Sequence, residues 1–336
     1  MDRIKAGINT TRENWEYVFR PEIVAQLHEH LEFDDSNLPD TPDKAFVIDS
    51  LRDARVVLST WGAVPYDSDV LSVCPGLALV TYGAGSVKNF LTEELIAADV
   101  AVCSAVHLNA QPVAEFTLGL IFTALKNVLA HHHAFLESGR AAWTVNKRTY
   151  RGGYYRTKIG VLGFGQVSRR LLDLLRPFDF EVMLEDPSMS TEEARKHGAR
   201  KVEIDEIMKT CDVVTLHHAD IPRNENMINK EMLGLMKDGA RFINTSRGRL
   251  VNEVDLAEEL STGRIWAFLD VTHPEPPAED SPLYGLKNCV ITPHVAGSIG
   301  TECYRMGDYC LREVENWIHG RAFENRIDLA TQVSRA

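Results

Sequence analysis

Short runs of aliphatic and β-branched residues recur along the chain, and between them apolar side chains return every three or four positions. The runs fall at residues 6–9, 56–59, 78–81 and 100–104, and again at 159–162, 181–184, 213–216, 241–244, 267–270 and 290–292. Each is short and nearly continuous in apolar residues, the mark of a strand buried on both faces. Strands alternating with helices imply parallel sheets joined by right-handed crossovers. The pattern predicts an α/β protein. Between 111 and 138, Val113, Phe116, Leu120, Ile121, Leu125 and Val128 recur at helical spacing, which predicts one long helix.

One strand carries more information than the rest. Residues 158–172 read KIGVLGFGQVSRRLL: a β-branched run, a turn at Gly163 and Gly165, then an amphipathic helix. A second strand follows and ends in Asp186. This order suits a dinucleotide. The glycines admit a pyrophosphate to the backbone, the helix N-terminus aims N–H groups at it, and the acid accepts from ribose hydroxyls. Ser168 occupies the third glycine position, small enough to keep helix and strand close but carrying a hydroxyl that needs a partner. The competing reading is a tight turn with no ligand. Asp186, at the expected spacing, favours the first.

That fingerprint belongs to the first strand of a nucleotide domain, so the residues before 158 need a sheet of their own. We expect two Rossmann-like domains with parallel sheets. The helix at 111–138 leads from the first into the second, and Arg151-Gly-Gly-Tyr154 connects it to the fingerprint strand. A helix near 300–319 follows the last strand and can return to the first domain. The first (substrate) domain is then discontinuous, 1–110 with 299–336, and 111–298 is the nucleotide domain, with a cleft between them as the natural site.

Composition narrows the partners. The net charge of −12 argues against nucleic acid, whose phosphates call for clustered Lys and Arg. Six cysteines form no C-x-x-C and read as buried thiols of a reducing compartment. The start, MDRIKAGINT, lacks the apolar core of a signal peptide, and the stretch at 116–125 is too short and polar to span a membrane. A cytoplasmic protein is expected. His131, His132 and His133 occupy consecutive helical positions and point in different directions, so no metal site is expected.

Three segments at strand ends bring the chemistry. Asn244-Thr-Ser-Arg247-Gly places an arginine past one strand, Asp270-Val-Thr-His-Pro-Glu275 two acids at and past the next, and Thr292-Pro-His294 a histidine past the last. Carboxyl ends of strands line the ligand crevice in such sheets. Taken singly, each residue is as well explained by capping or surface pairing. Together they suit one reaction. Histidine exchanges a hydroxyl proton near neutrality, a carboxylate beside it favours the imidazolium, and arginine grips a carboxylate with two parallel bonds. The set describes oxidation of a 2-hydroxy acid or reduction of a 2-keto acid.

With these segments in view, the chain resembles the D-isomer-specific 2-hydroxyacid dehydrogenases over nearly its whole length. The motifs are GVLGFGQV (160–167), LEDP (184–187), INTSRGRLVNEVDL (243–256), FLDVTHPEPP (268–277) and ITPHVAGS (291–298). NAQPVAEFTLGLIFTALK (109–126) is similar to the family's interdomain helix, and GAGSVK (83–88) to its substrate loop. The resemblance implies NAD as cofactor and a homodimer formed through the nucleotide domain. It implies that Arg247 binds substrate carboxylate and carbonyl, and that Glu275 tunes His294, the acid/base. Backbone N–H groups of Ala84, Gly85, Ser86 and Val87 would hold the substrate carboxylate beside Asn109. Gly163, Gly165, Gln166 and Val167 would face the pyrophosphate, Asp186 the adenosine ribose and Asp270 the nicotinamide carboxamide. His217, Thr245, Ser246 and Gly297 would line the cofactor with His294. The chain departs from the family pattern at Ser168, at His218-Ala219, where a proline is common, and at Pro112.

Several functions share this pattern. Glu275 argues against formate as substrate, which has no hydroxyl proton to remove, but does not exclude phosphite. A dimeric NAD(H)-sensing scaffold like the C-terminal-binding-protein corepressors would keep a similar triad; the chain's end at Ala336, with no long tail, favours an enzyme. A phosphoglycerate dehydrogenase would carry arginines after the strand at 56–59. Here the sequence is Ser59-Thr-Trp61-Gly-Ala-Val-Pro, with Lys88 the nearest cation candidate, so a non-phosphorylated 2-keto acid is expected.

Overall fold

A computed structural model describes residues 3–144 and 152–329. Arg151, at the start of the expected connector, Met1 and Asp2, and the segment 330–336 lie outside the described residues. The chain divides into two compact units, Met1–Ala110 with Ser298–Ala336, and Gln111–Gly297.

The first unit holds five parallel strands: β1 (Ile4–Asn9), β2 (Leu31–Glu32), β3 (Val56–Ser59), β4 (Leu79–Tyr82) and β5 (Ala101–Ser104), in the order β2-β1-β3-β4-β5. Strands β3, β4 and β5 are buried throughout, because helices cover both faces. Leu58 and Leu79 belong to one core with Val18, Leu27, Met306, Tyr309 and Cys310. Val57, Val80 and Val102 face the other, with Tyr66, Phe90 and Leu95. The helix Tyr304–Ile318 thus closes a sheet made by the start of the chain. Its buried Glu313 accepts from the backbone N–H groups of Glu324 and Asn325, and Asn325 donates to the Ser104 carbonyl.

The second unit holds seven parallel strands: β6 (Lys158–Leu162), β7 (Glu181–Glu185), β8 (Arg200–Lys201), β9 (Val213–Leu216), β10 (Arg241–Asn244), β11 (Trp266–Leu269) and β12 (Cys289–Ile291). Their order is β12-β11-β10-β9-β6-β7-β8. The chain leaves β6 for β7 on one side and later returns to β9 on the other, so β6 ends at a topological switch point. Because every ladder is parallel, the segments after β6, β7, β9, β10, β11 and β12 share one edge of the sheet.

Two expectations need correction. The sheets contain β2 and β8, two-residue strands too short to leave an apolar run. The long helix is two helices, Val106–Leu125 and Val128–Ser138, bent by 52°. Asn127 breaks it, with φ at 46° in the left-handed region that Asn tolerates better than most residues. Its side chain then accepts from Arg241. No single helix among the described residues is long and apolar enough to cross a membrane; the bent pair qualifies only by length and composition.

Candidate active site

The turn after β6 is shaped by three residues. Gly163 has φ at 91°, and a Cβ there would lie 2.7 Å from the His218 backbone nitrogen. Gly165 is the N-cap of the helix Gln166–Leu175 and makes no side-chain cap. A Cβ on Gly165 would meet open space, so the backbone is accessible there. Ser168 is fully buried and donates to the Gly163 carbonyl at 2.7 Å. Its hydroxyl therefore finds its partner inside the turn and does not occupy the face toward a ligand.

Asp186 follows β7. Its Oδ2 accepts from the Phe164 N–H, and its Oδ1 from the backbone and hydroxyl of Ser188. Burial works against its charge, but donors from Ser188 and Phe164 and the attraction of His218 together hold the carboxyl below its usual range. It is an ionised acceptor beside the glycine turn. After β9, His217 turns its ring inward to Thr215 at 2.9 Å, and burial, with His218 nearby, pushes its pKa down to about 3. It presents backbone to the sheet edge.

The loop after β10 owes its shape to Asn244, which the sequence reading left without a role. Its side chain accepts from the Ser246 N–H and donates to the Arg247 carbonyl. An Asn at a strand end beside Ser is the usual signature of such a side-chain-made turn. Thr245 shares a hydrogen bond with Thr117 at 2.9 Å, and the Ser246 hydroxyl donates to the His218 carbonyl. Arg247 is exposed, with one guanidinium nitrogen donating to the Ser246 carbonyl. A Cβ at Gly248 would sit 2.0 Å from the Thr272 carbonyl, so only glycine lets this loop meet the one after β11.

The histidine and its carboxylate meet. His294 Nδ1 lies 2.7 Å from Glu275 Oε1, both side chains about half exposed. The backbone at His294 is left-handed, φ 54°, held by its N–H donating to Asp270 and Thr292 carbonyls. Asp270 is buried and organises this loop: its carboxylate accepts from the Thr292 hydroxyl and from the N–H groups of Val295 and Ala296. Sequence reasoning gave Asp270 only a cofactor contact and missed this second task.

In the first unit, the loop containing Ala84, Gly85, Ser86 and Val87 follows β4. The Ser104 hydroxyl lies within reach of the Ala84 and Gly85 carbonyls, 2.8 Å from the latter. In a planar trans peptide the following N–H points the opposite way, so the amides of Gly85 and Ser86 turn from Ser104. The Asn109 side chain adjoins Gly85 and accepts from the Ser298 N–H. Trp61 packs near Tyr17, ring centroids 6.4 Å apart. The six cysteines are unpaired, five of them buried. Among the described residues no group of three or more His, Cys, Asp or Glu is placed to hold a metal.

The chain is similar to known proteins in sequence and fold. The family model described as D-isomer specific 2-hydroxyacid dehydrogenase, NAD binding domain, matches residues 118–296. A hydroxypyruvate reductase of Blautia hydrogenotrophica is 27% identical over 304 residues, 88% of this chain and 90% of its own. A D-3-phosphoglycerate dehydrogenase of Methanocaldococcus jannaschii is 28% identical over 289 residues, 85% of this chain and 54% of its own. The crystal structure of a phosphoglycerate oxidoreductase from Rhizobium etli has the same fold, with a TM-score of 0.80 at 23% identity over 97% of this chain and 99% of that one.

Proposed function

Because the chain belongs to the D-isomer specific 2-hydroxyacid dehydrogenase family, we propose that it interconverts a small, non-phosphorylated 2-keto acid of the glyoxylate or hydroxypyruvate kind with its 2-hydroxy acid, using His294 as acid/base. It is an NAD-dependent oxidoreductase acting on the CH–OH group. The observation that carries the proposal is the His294–Glu275 pair, on the sheet edge that also bears the glycine turn and Arg247.

The residues fit NAD. The open space at Gly165 and the uncapped helix behind it suit a pyrophosphate, with the backbone of Gly163, Gln166 and Val167 alongside. Asp186 suits the ribose diol, and backbone at His217, Thr245, Ser246 and Gly297 lines the remainder. Asp270 uses three of roughly four carboxylate acceptor sites, leaving one for a carboxamide. Bound NAD supplies the hydride acceptor, and NADH the hydride.

The chain's own groups do the rest. Glu275 accepts from Nδ1 of His294, which leaves Nε2 as the atom that takes the hydroxyl proton in oxidation and returns it in reduction. The same carboxylate offsets the charge the ring gains. Arg247 offers a planar fork for the substrate carboxylate and carbonyl, which Lys cannot match. The amides of Ala84, Gly85, Ser86 and Val87, with Asn109, receive the carboxylate on the first unit.

Substrate charge follows from the loop that bears Trp61. The loop after β3 carries no cation between Ser59 and Pro65, so a dianionic phosphate would lose its water without matched donors. Measuring kcat/KM for hydroxypyruvate and for its phosphorylated counterpart tests this. A clear preference for the phosphorylated acid would overturn it.

The helix Val128–Ser138 buries none of its side chains, and beyond it Trp143 is 73% exposed, with Leu136 at 71%. Apolar surface of this kind supports a homodimer through the second unit. Sedimentation equilibrium checks it: a monomer at micromolar concentration would refute the dimer.

A further inference from the structure

Strands β7 and β9 flank β6, and one side-chain contact crosses between their tips. His218 Nε2 lies 2.7 Å from Glu185 Oε2, at 10% and 13% exposure. The contact sits against the glycine turn. Gly163 donates its N–H to the Glu185 carbonyl at 2.8 Å, and the His218 backbone is the surface a Cβ on Gly163 would strike. Glu185 immediately precedes Asp186. Two adjacent carboxylates therefore stand beside the turn read above as the pyrophosphate site; the imidazole attracts both and hydrogen-bonds Glu185.

We propose that His218 is a cofactor-positioning residue that withdraws Glu185 from the adenosine end of NAD(H), leaving Asp186 as the single carboxylate facing the ribose diol. This rests on the reading of the second unit's sheet edge as the dinucleotide site. The physical case is one of charge. A diphosphate brings two negative charges to the turn. A nearly buried, unpaired carboxylate would repel them through a medium that screens poorly. The imidazole removes that repulsion by holding Glu185 against the β9 tip. Its backbone is fixed in turn, because the His218 carbonyl accepts from the Ser246 hydroxyl and the His217 N–H donates to Leu162 at 2.7 Å. Among the described residues no other nearby group is paired with Glu185: Arg169 lies over the Phe164 ring and reaches toward Glu193. His217 is neutral at physiological pH, and Arg249 is committed to Asp220 at 2.7 Å.

The experiment is direct binding of NADH, by fluorescence, and of ADP-ribose, by calorimetry, to the full chain, with Tm recorded without ligand. His218→Asn should weaken both ligands by roughly tenfold, the effect of one unit charge on another about 10 Å away at an effective dielectric near 20. Glu185→Gln/His218→Asn should bind within about threefold of the unmodified protein, since the carboxylate that repels is gone. A merely structural role would not be rescued by removing the second partner. Equal binding by His218→Asn and the unmodified protein would overturn the proposal, as would a double variant that binds no better than His218→Asn. Should His218→Asn fail to fold, the folded double variant decides alone: near-normal binding upholds the proposal and weak binding refutes it. An unmodified protein that binds neither ligand would instead refute the underlying dinucleotide reading.

Discussion

Asp270 holds His294 from below: its carbonyl accepts the His294 N–H at 3.0 Å, while its carboxylate gathers Thr292, Val295 and Ala296 around the same loop. A left-handed backbone at a non-glycine residue is sustained only where its surroundings over-determine it. The ring that faces Glu275 is therefore presented by a buried aspartate just past the neighbouring strand β11.

Replacing His294 by Gln should lower kcat by about 10²–10⁴-fold, the range for loss of a general acid/base. The NADH dissociation constant should change little. A variant with near-normal kcat would remove His294 from the proton transfer.

Arg247→Lys keeps the charge but loses the fork. Steady-state kinetics with a keto acid should show a higher KM and a lower kcat, with kcat/KM down roughly 10–100-fold, as for one lost charge-assisted hydrogen bond. An unchanged kcat/KM would make this arginine structural.

Asp186 repels a 2′-phosphate, and Pro187-Ser188-Met189-Ser190 offers no Arg or Lys to neutralise one. NADH should be preferred to NADPH, and Asp186→Ala should narrow the ratio of their kcat/KM values by about tenfold. Equal use of both by the unmodified protein would contradict the assignment.

Gly248→Ala forces a Cβ against the Thr272 carbonyl, where 2.0 Å is available. Backbone must move, costing about 1–3 kcal/mol or more. The loops bearing Arg247 and Glu275 would separate, so kcat should also fall, by about 10²-fold for a shift near 1 Å. A normal Tm and normal kcat together would show that the loops can part freely.

His217 gives stability a pH dependence. Its folded pKa is about 3 against an ordinary 6.5, so between those values the unfolded chain binds the extra proton. The stability that this shift contributes is fully present above pH 6.5 and is lost as pH falls toward 3. Melting curves between about pH 4 and pH 7 should show a shallower acid decline for His217→Gln than for the unmodified protein. Parallel curves would mean that the ring titrates freely in the folded state.

The sheets were legible because strands buried on both faces leave unbroken apolar runs, as at Val213–Leu216. Strands β2 and β8 were not, since two residues carry no period. The break at Asn127 was hidden for another reason. Apolar residues continue at helical spacing on both sides of it, and only the left-handed φ and the contact with Arg241 reveal the bend. His294 and Glu275 could be paired from their placement after adjacent strands. Asn244, Gly248 and the second task of Asp270 could not, because each works through backbone groups brought near only by the fold. Glu185 and His218 are 33 positions apart in sequence, and their pairing depends on β6 lying between β7 and β9.

The return of the helix Tyr304–Ile318 to the first sheet also sets an order of assembly. On a ribosome the segment bearing β1 to β5 emerges well before Met306, Tyr309, Cys310 and Val314, which close one side of its core. Residues 111–297 emerge whole in between and can fold as a unit while the earlier strands wait. The segment made earlier is thus the later of the two units to mature. During that delay Ile8 and Leu58 lack their covering layer, the condition in which a growing polypeptide most needs a chaperone.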